Sequence, residues 1–225
     1  MGRLVKTVLG KASGKVGDLV FRIVDGKVII ASHIGTNKIS KSPECVNNRK
    51  RFSAVLKYAS AVNKIPDLNF IWRKSRNTAK SGYNKIISEN IKLVRDNQIS
   101  KHNIITPDGF GLINLNAVLN TQNAIVSFSL SDDSAIYSGK KFNACLVISL
   151  SKPVSKLNIA SLSLSSVVPN VVAASTVSEV SFPLKNHKRI IEKYTKAVLF
   201  FALSNSEQSK PLCSASFSFV FNLKK

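Results

Sequence analysis

The chain has 225 residues, 44% of them hydrophobic, which is enough length for one large domain or two small ones and enough apolar content for a buried core. Its 33 Lys and Arg against 12 Asp and Glu give a formal net charge of +21, which points to an anionic partner: nucleic acid, an acidic protein surface or an anionic membrane. No run of about 18 apolar residues occurs, which excludes a transmembrane helix.

The charge is uneven: residues 1–104 hold 21 Lys and Arg against 6 acids, whereas residues 105–225 hold 12 against 6. The three cysteines, Cys45, Cys145 and Cys213, are far apart and form no Cys-x-x-Cys pair, so their spacing does not fit a zinc site. Cys145 can pair with Cys213 in the second half, but three buried thiols in a reducing compartment is the simpler reading. Met1 to Gly10 is too short and interrupted for a signal peptide, and Lys6 stands where the myristoylation pattern wants Ser or Thr. The expected location is a virion or the cytoplasm.

Residues 1–12 alternate basic and apolar and read as a short helix, a strand or an arm that orders on a partner. Gly14 and Gly17 then lead into a hairpin, with Val16 to Arg22 and Lys27 to Ala31 flanking Asp25-Gly26, a preferred type I′ turn. An isolated two-stranded hairpin is marginal in water, so this one is expected to pack on the rest of the protein or add strands from a neighbouring copy. Residues 32–42 read as a polar connector. Residues 1–42 are thus expected as a basic arm and hairpin.

Ser42-Pro43-Glu44 is a helix start, with Ser as the cap and Pro at the first helical position. The helix is expected to run to about Lys64, with Phe52, Val55, Leu56, Ala59 and Val62 as its apolar face, and Pro66 ends it. Asp67 is read as the cap of a second helix, which carries Leu68, Phe70, Ile71 and Trp72 before it turns basic. Ser81-Gly82 breaks that helix, and a third places Tyr83, Ile86, Ile87, Asn90, Ile91 and Val94 on one face. Residues 43–97 form this helical basic segment, and 98–111 read as a linker turning at Pro107-Asp108-Gly109.

From residue 112 the apolar period becomes two. Strands are expected over Asn123–Leu130, Phe142–Leu150, Lys156–Ser165, Asn170–Thr176, Ala197–Leu203 and Cys213–Leu223, with Leu112–Val118 as a further candidate. In the last of these Ser214, Ser216 and Ser218 alternate with apolar residues, the pattern of a half-buried strand with one face outward. Six or seven strands in so short a span point to an immunoglobulin-like β-sandwich over 112–225. The fold class is therefore α+β: a basic β-hairpin and short helices followed by an all-β immunoglobulin-like sandwich.

Chemical motifs fail one by one. Gly10-Lys-Ala-Ser-Gly14-Lys15 has three residues between its glycines where a phosphate-binding loop needs four, and Val16 follows the lysine. His33, His102 and His187 sit in polar loops, and neither Gly-x-Ser-x-Gly nor His-Glu-x-x-His occurs. Asp132-Asp133 is the acidic pair, set in a Ser-rich turn. The chain is read as non-enzymatic, without a cofactor or metal.

The basic clusters carry more. Between Arg49 and Lys85 there are ten Lys and Arg and one acid, Asp67. Ordinary solvated helix faces balance their cations, and this one does not. Arg49, Lys50, Arg51, Lys57, Arg73, Lys74, Arg76 and Lys80, with Lys11, Lys15, Arg22 and Lys27 from the arm and hairpin, are the expected polyanion contacts. Such contacts release counterions, so binding would be salt-dependent and indifferent to sequence. No helix-turn-helix, zinc-finger or RNA-recognition signature is present. Gly14, Gly17, Phe21, Asp25 and Gly26 are the expected docking hairpin. Phe52 and Trp72, beside the cations, are read as core.

Ser13-Gly-Lys-Val-Gly-Asp-Leu-Val-Phe-Arg22, Asp25-Gly26-Lys27, Asn48-Arg49-x-x-Phe52 and Lys80-Ser-Gly-Tyr-Asn84 together resemble an uncharacterised family of Bacteroidota and their phages or prophages. Its pattern is a Ser-Gly-Lys-x-Gly hairpin, an Arg-x-x-Phe helix, a Ser-x-Tyr-Asn helix and a β-sandwich tail. The resemblance covers about residues 1–95. It departs at Ser32-His33-Ile34-Gly35, where that pattern has Arg-x-x-Pro, and at Asn47-Asn48, where it has a Gln. The resemblance implies a virion-like or surface-assembly component. The expected function is thus a non-enzymatic part of a phage-like particle or other large assembly, contacting its own or other subunits. The alternative is a non-specific DNA- or RNA-binding protein.

Overall fold

The computed structural model of the chain describes residues 2–3, 13–24, 26–32, 40–155, 161–205 and 211–223. The chain divides into two compact units, residues 1–43 and 44–225.

The first unit is an antiparallel sheet. Its strands are β1 (Gly2–Arg3), β2 (Gly14–Val16), β3 (Leu19–Val24) and β4 (Lys27–Ser32), in the order β1-β4-β3-β2. The expected hairpin is present, with Val24 opposite Lys27 across a two-residue loop. The strand expected over Val16–Arg22 is instead two strands, because Gly17-Asp18 makes a second tight turn between Val16 and Leu19. Gly17 has φ +56 and Asp18 a negative φ, the arrangement that favours Gly at the first central position of a type II′ turn. Two turns and an added terminal strand widen the marginal hairpin to four strands.

The second unit contains the helices α1 (Pro43–Asn63), α2 (Pro66–Lys74) and α3 (Gly82–Asn90), then β5 (Leu112–Leu119), β6 (Asn123–Leu130), β7 (Lys141–Pro153), β8 (Ser161–Val172), β9 (Ser178–Pro183), a four-residue helix α4 (Lys188–Ile191), β10 (Tyr194–Asn205), β11 (Leu212–Cys213) and β12 (Phe217–Asn222). The chain is α+β. One sheet is β5-β6-β9, and the other is β8-β7-β10 with both β11 and β12 paired to β10, all antiparallel.

Two buried clusters explain this layering. Ala124, Val126 and Phe128 of β6 and Val180 and Phe182 of β9 share one cluster with Leu146, Ile148 and Leu150 of β7 and Leu199, Phe201 and Leu203 of β10. The two sheets therefore face each other. Alternate residues of the same central strands, Cys145, Val147, Val198, Phe200 and Ala202, point the other way and pack with Val55, Tyr58, Val62, Leu68, Trp72 and Ile86 of the helices. Because β7 and β10 are buried on both faces, Cys145-Leu-Val-Ile148 and Ala197-Val-Leu-Phe-Phe-Ala-Leu203 are continuous apolar runs. Each buried Val, Leu, Ile or Phe in them contributes about 1.5–3 kcal/mol. The β7–β10 sheet is thus the middle layer between two buried clusters, one shared with the smaller sheet and one with the helices.

Several expectations are corrected. The stretch 98–111 is a packed strap: Ile99 and Ile105 are buried, and Trp72 Nε1 donates to Ile105 O at 2.8 Å. Asn90 and Asn103 lock it to α3, with Asn103 Nδ2 donating to Asn90 O at 2.9 Å and Asn90 Nδ2 to Ile104 O at 3.0 Å. The serines of the last strand face this strap. Ser216 Oγ accepts from the backbone of Ile105 and Thr106 at 2.8 Å, Ser218 Oγ donates to Lys101 O at 2.6 Å, and Ser214 is buried. The strand itself breaks between Cys213 and Phe217.

The strands expected over Lys156–Ser165 and Asn170–Thr176 are one strand, β8, with residues 156–160 outside the described residues. It carries Pro169 because it lies at a sheet edge, where no ladder donor is required. Sequence reading missed β9, whose Val180 and Phe182 alternate inward.

Cys145 lies opposite Ala202 on one side of β10, and Cys213 lies opposite Ser204 on the other. An intervening strand puts their Cα atoms roughly 10 Å apart, beyond the reach of a disulfide. All three cysteines are free of disulfides; Cys145 is buried, and Cys45 and Cys213 are partly so.

Candidate functional site

In the first unit, residues directly opposite in register share a face. Lys15 opposes Val20, Arg22 opposes Ile29, and Val24 opposes Lys27. Period two therefore puts Lys15, Arg22 and Lys27 on one face of the sheet. Val16, Leu19, Phe21, Ile23, Val28 and Ile30 occupy the other, where Val16 is 69% exposed. Gly14 and Gly26 have φ +113 and +73, which suits them to the tight backbone there. Lys11 and Asp25 lie outside the described residues.

In the second unit, the expected cations divide by role. Arg49 and Lys50 are exposed on α1, and Arg73, Lys74, Arg76 and Lys80 are exposed in and after the last turn of α2. Cations there complement the negative end of a helix dipole. Lys74 Nζ lies 5.8 Å from the Phe70 ring centroid. Arg51, by contrast, turns inward and its Nε donates to Ile91 O at 2.9 Å, so much of its hydrogen-bonding capacity is structural. Lys57 Nζ donates to Ser161 O at 3.1 Å. Lys85 is buried, its Nζ donating to Arg73 O at 2.9 Å and Ser75 O at 2.8 Å, where it satisfies carbonyls that α2 leaves open at its end.

The acid of this stretch is also turned inward. Asp67 was expected as a helix cap, but Ile65 holds the cap position and makes no side-chain capping bond. Asp67 is 8% exposed, and its Oδ2 accepts from Asn143 Nδ2 at 2.7 Å and Ser204 Oγ at 3.0 Å. Placed among these donors, its carboxylate is turned away from solvent, while Glu44 on α1 and Asp96 beside it remain exposed. Ser204 Oγ is also 3.1 Å from Cys145 Sγ. Burial pushes the Cys145 thiol up to about 12 despite the lowering effect of the Ser204 contact. Burial pushes Cys213 up to about 12 as well.

A cleft of about 590 Å³ opens along α1, lined in part by Arg49, Lys50, Ser53, Lys57, Asn97, Gln98 and Ser161. Asp96 is the acid in its wall. A second depression of about 480 Å³ lies beside Arg49, Arg51, Phe52, Leu56 and Ile91. Arg49 and Ser53 line both, so the two depressions lie on either side of one ridge of α1. Phe52, expected in the core, is 45% exposed. Its ring is displaced from the buried side because Ala54, Val55, Tyr58, Ala59, Ala61 and Val62 already form that face. The α2 cations Arg73, Lys74 and Arg76 line neither depression. Asn97, Gln98 and Ser161 carried no sequence signal, since they reach α1 only through the fold.

Among the described residues no group of three or more His, Cys, Asp or Glu is placed to hold a metal, and no helix is long and apolar enough to cross a membrane. His33 lies outside the described residues, His102 is exposed, and Asp132 and Asp133 are exposed in a short turn. No family model matches the chain, and no curated protein matches it either.

Proposed function

We propose that the protein is a non-enzymatic structural component of a phage-like particle or other large assembly, and that its basic helical surface contacts an anionic partner. One observation carries the polyanion part. The single acid between Arg49 and Lys85, Asp67, is buried and accepts from Asn143 and Ser204, whereas Arg73, Lys74 and Arg76 are exposed, so positive charge dominates what this stretch presents to solvent. Binding through such a surface comes from charge and counterion release rather than from base readout.

The assembly part is supported by the first unit. A four-stranded sheet with one apolar face and short strands at its edges suits docking on other subunits, including by strand addition. An immunoglobulin-like arrangement is supported by strand order. The first, second and fifth strands of the pair of sheets lie together, and the third, fourth, sixth, seventh and eighth lie together opposite them. The second reading, non-specific nucleic-acid binding without assembly, is favoured by the α1 clefts alone.

Binding of the full chain to heparin, duplex DNA and single-stranded RNA across a salt series tests the polyanion part; no binding at low salt to any of them overturns it. Sedimentation of the chain alone and with co-purifying proteins tests the assembly part; a monomer without partners overturns it.

A further inference from the structure

We propose that the partner of the α1 surface is single-stranded nucleic acid, with Phe52 as a platform on which an unpaired base stacks; this rests on the polyanion reading above. Phe52 is an exposed aromatic ring in a mostly apolar depression bordered by Arg49 and Arg51. A solvent-facing phenyl ring costs free energy unless something covers it, and Leu56 and Ile91 give that cover an apolar floor. The hydrogen bond from Arg51 to Ile91 O fixes the wall.

Across the Arg49–Ser53 ridge lies the larger cleft, where Lys50 and Lys57 supply positive charge and Asn97 and Gln98 supply amides. Beyond it Lys57 and Lys64 line a third depression along α1 beside Leu162 and Ser163. From Arg49 to Lys64 the track spans about 22 Å at the rise of a helix. A cationic groove with an aromatic ring beside it is the pattern that holds a single strand: the groove follows the phosphodiesters and the ring takes a base face. In a duplex both faces of each base are already stacked, and the ring has no partner there. The amides and the Asp96 carboxylate can pair with base edges without fixing a sequence.

The test uses the full chain, a labelled short oligothymidylate, the matching oligouridylate, a duplex of equal length, and heparin. Phe52→Leu keeps an apolar side chain against Leu56 and Ile91 but removes the aromatic face. It is expected to weaken both single strands about tenfold while leaving heparin affinity and the salt dependence unchanged. Lys50→Gln is expected to lower the salt slope for single strands by about 0.7. The wild-type chain is expected to prefer either single strand to the duplex; a gap between the DNA and RNA strands assigns the sugar. Wild-type affinity for single strands in Phe52→Leu, or duplex bound as tightly as single strands, overturns the proposal while heparin binding leaves the polyanion reading standing. Failure to bind heparin or any oligonucleotide at low salt overturns both.

Discussion

Asn143 Nδ2 donates to Asp67 Oδ2 across 2.7 Å, joining the start of α2 to β7 over 76 residues of sequence. Ser204 Oγ, from β10, donates to the same oxygen at 3.0 Å. One carboxylate thus ties the helical layer to both central strands. Asp67→Ala strands the buried Ser204 hydroxyl and the partly buried Asn143 amide and is expected to cost about 2–3 kcal/mol, measured by urea denaturation. A loss no greater than that of a surface Asp132→Ala control counts against the tie.

Gly109 makes the closest backbone approach in the strap. A Cβ there would lie 2.1 Å from Ser214 C and 2.5 Å from Ala215 N. Phe110 N donates to Cys213 O at 3.0 Å and Ala215 N to Phe110 O at 2.9 Å, which hold the two segments together. Gly109→Ala is expected to cost about 3 kcal/mol, since backbone rather than a side chain must move. Gly111→Ala, whose Cβ would meet Ser131 Oγ at 3.0 Å, is expected to cost clearly less in the same chemical-denaturation assay.

Tyr58 is fully buried with its ring 5.2 Å from that of Phe200, and its hydroxyl has no hydrogen-bond partner among the described residues. Burial accordingly raises its pKa well above the ordinary tyrosine value. Tyr58→Phe relieves the desolvated hydroxyl and is expected to stabilise the protein by about 1 kcal/mol, whereas Tyr58→Ala is expected to cost about 3–5 kcal/mol. Thermal melts of the two variants decide it, and a destabilised Phe variant sinks the account.

Lys85 and the α2 cations separate stability from binding. Replacing Arg73, Lys74 and Arg76 by Glu is expected to weaken heparin binding at least tenfold with an unchanged far-ultraviolet spectrum, because all three are exposed. Lys85→Met removes two bonds to the end of α2 and is expected to cost about 2 kcal/mol while leaving the salt dependence of binding intact. The reverse pattern would show that the roles are exchanged.

The thiols give an alkaline signature. Burial raises both Cys145 and Cys213 to about 12 in the folded state. In the unfolded chain they titrate near 8.5. Between these values the folded state holds more protons than the unfolded one. The stability they contribute is therefore full below about pH 8.5 and is lost as pH rises towards 12. Urea midpoints are expected to fall from pH 8 to pH 10, and Cys145→Ala to reduce that fall. In native protein at pH 8, alkylation is expected to reach Cys45 first and Cys145 last, as read by mass spectrometry.

By itself the sequence determined the local elements. Pro43 and Pro66 start helices, Val24 and Lys27 pair on either side of the expected turn, and α1 ends within one residue of its expected end, because proline, glycine and capping residues act through their own backbone angles. It also displayed the excess of Lys and Arg over acids. Only the tertiary structure decided where those groups point. Periodicity assigned Phe52 to the core and the serines of the last strand to solvent. The narrow buried face of α1 left Phe52 outside, and the strap at 98–111 took Ser214, Ser216 and Ser218 as partners. Asp67 lost its surface role to Asn143 and Ser204, residues 76 and 137 positions away. Lys85 likewise became a cap for α2 rather than a surface charge. A side chain's period along the chain says which neighbours share its face, but the partner that covers that face comes from distant sequence, and burial, hydrogen bonding and exposed charge are settled by that partner.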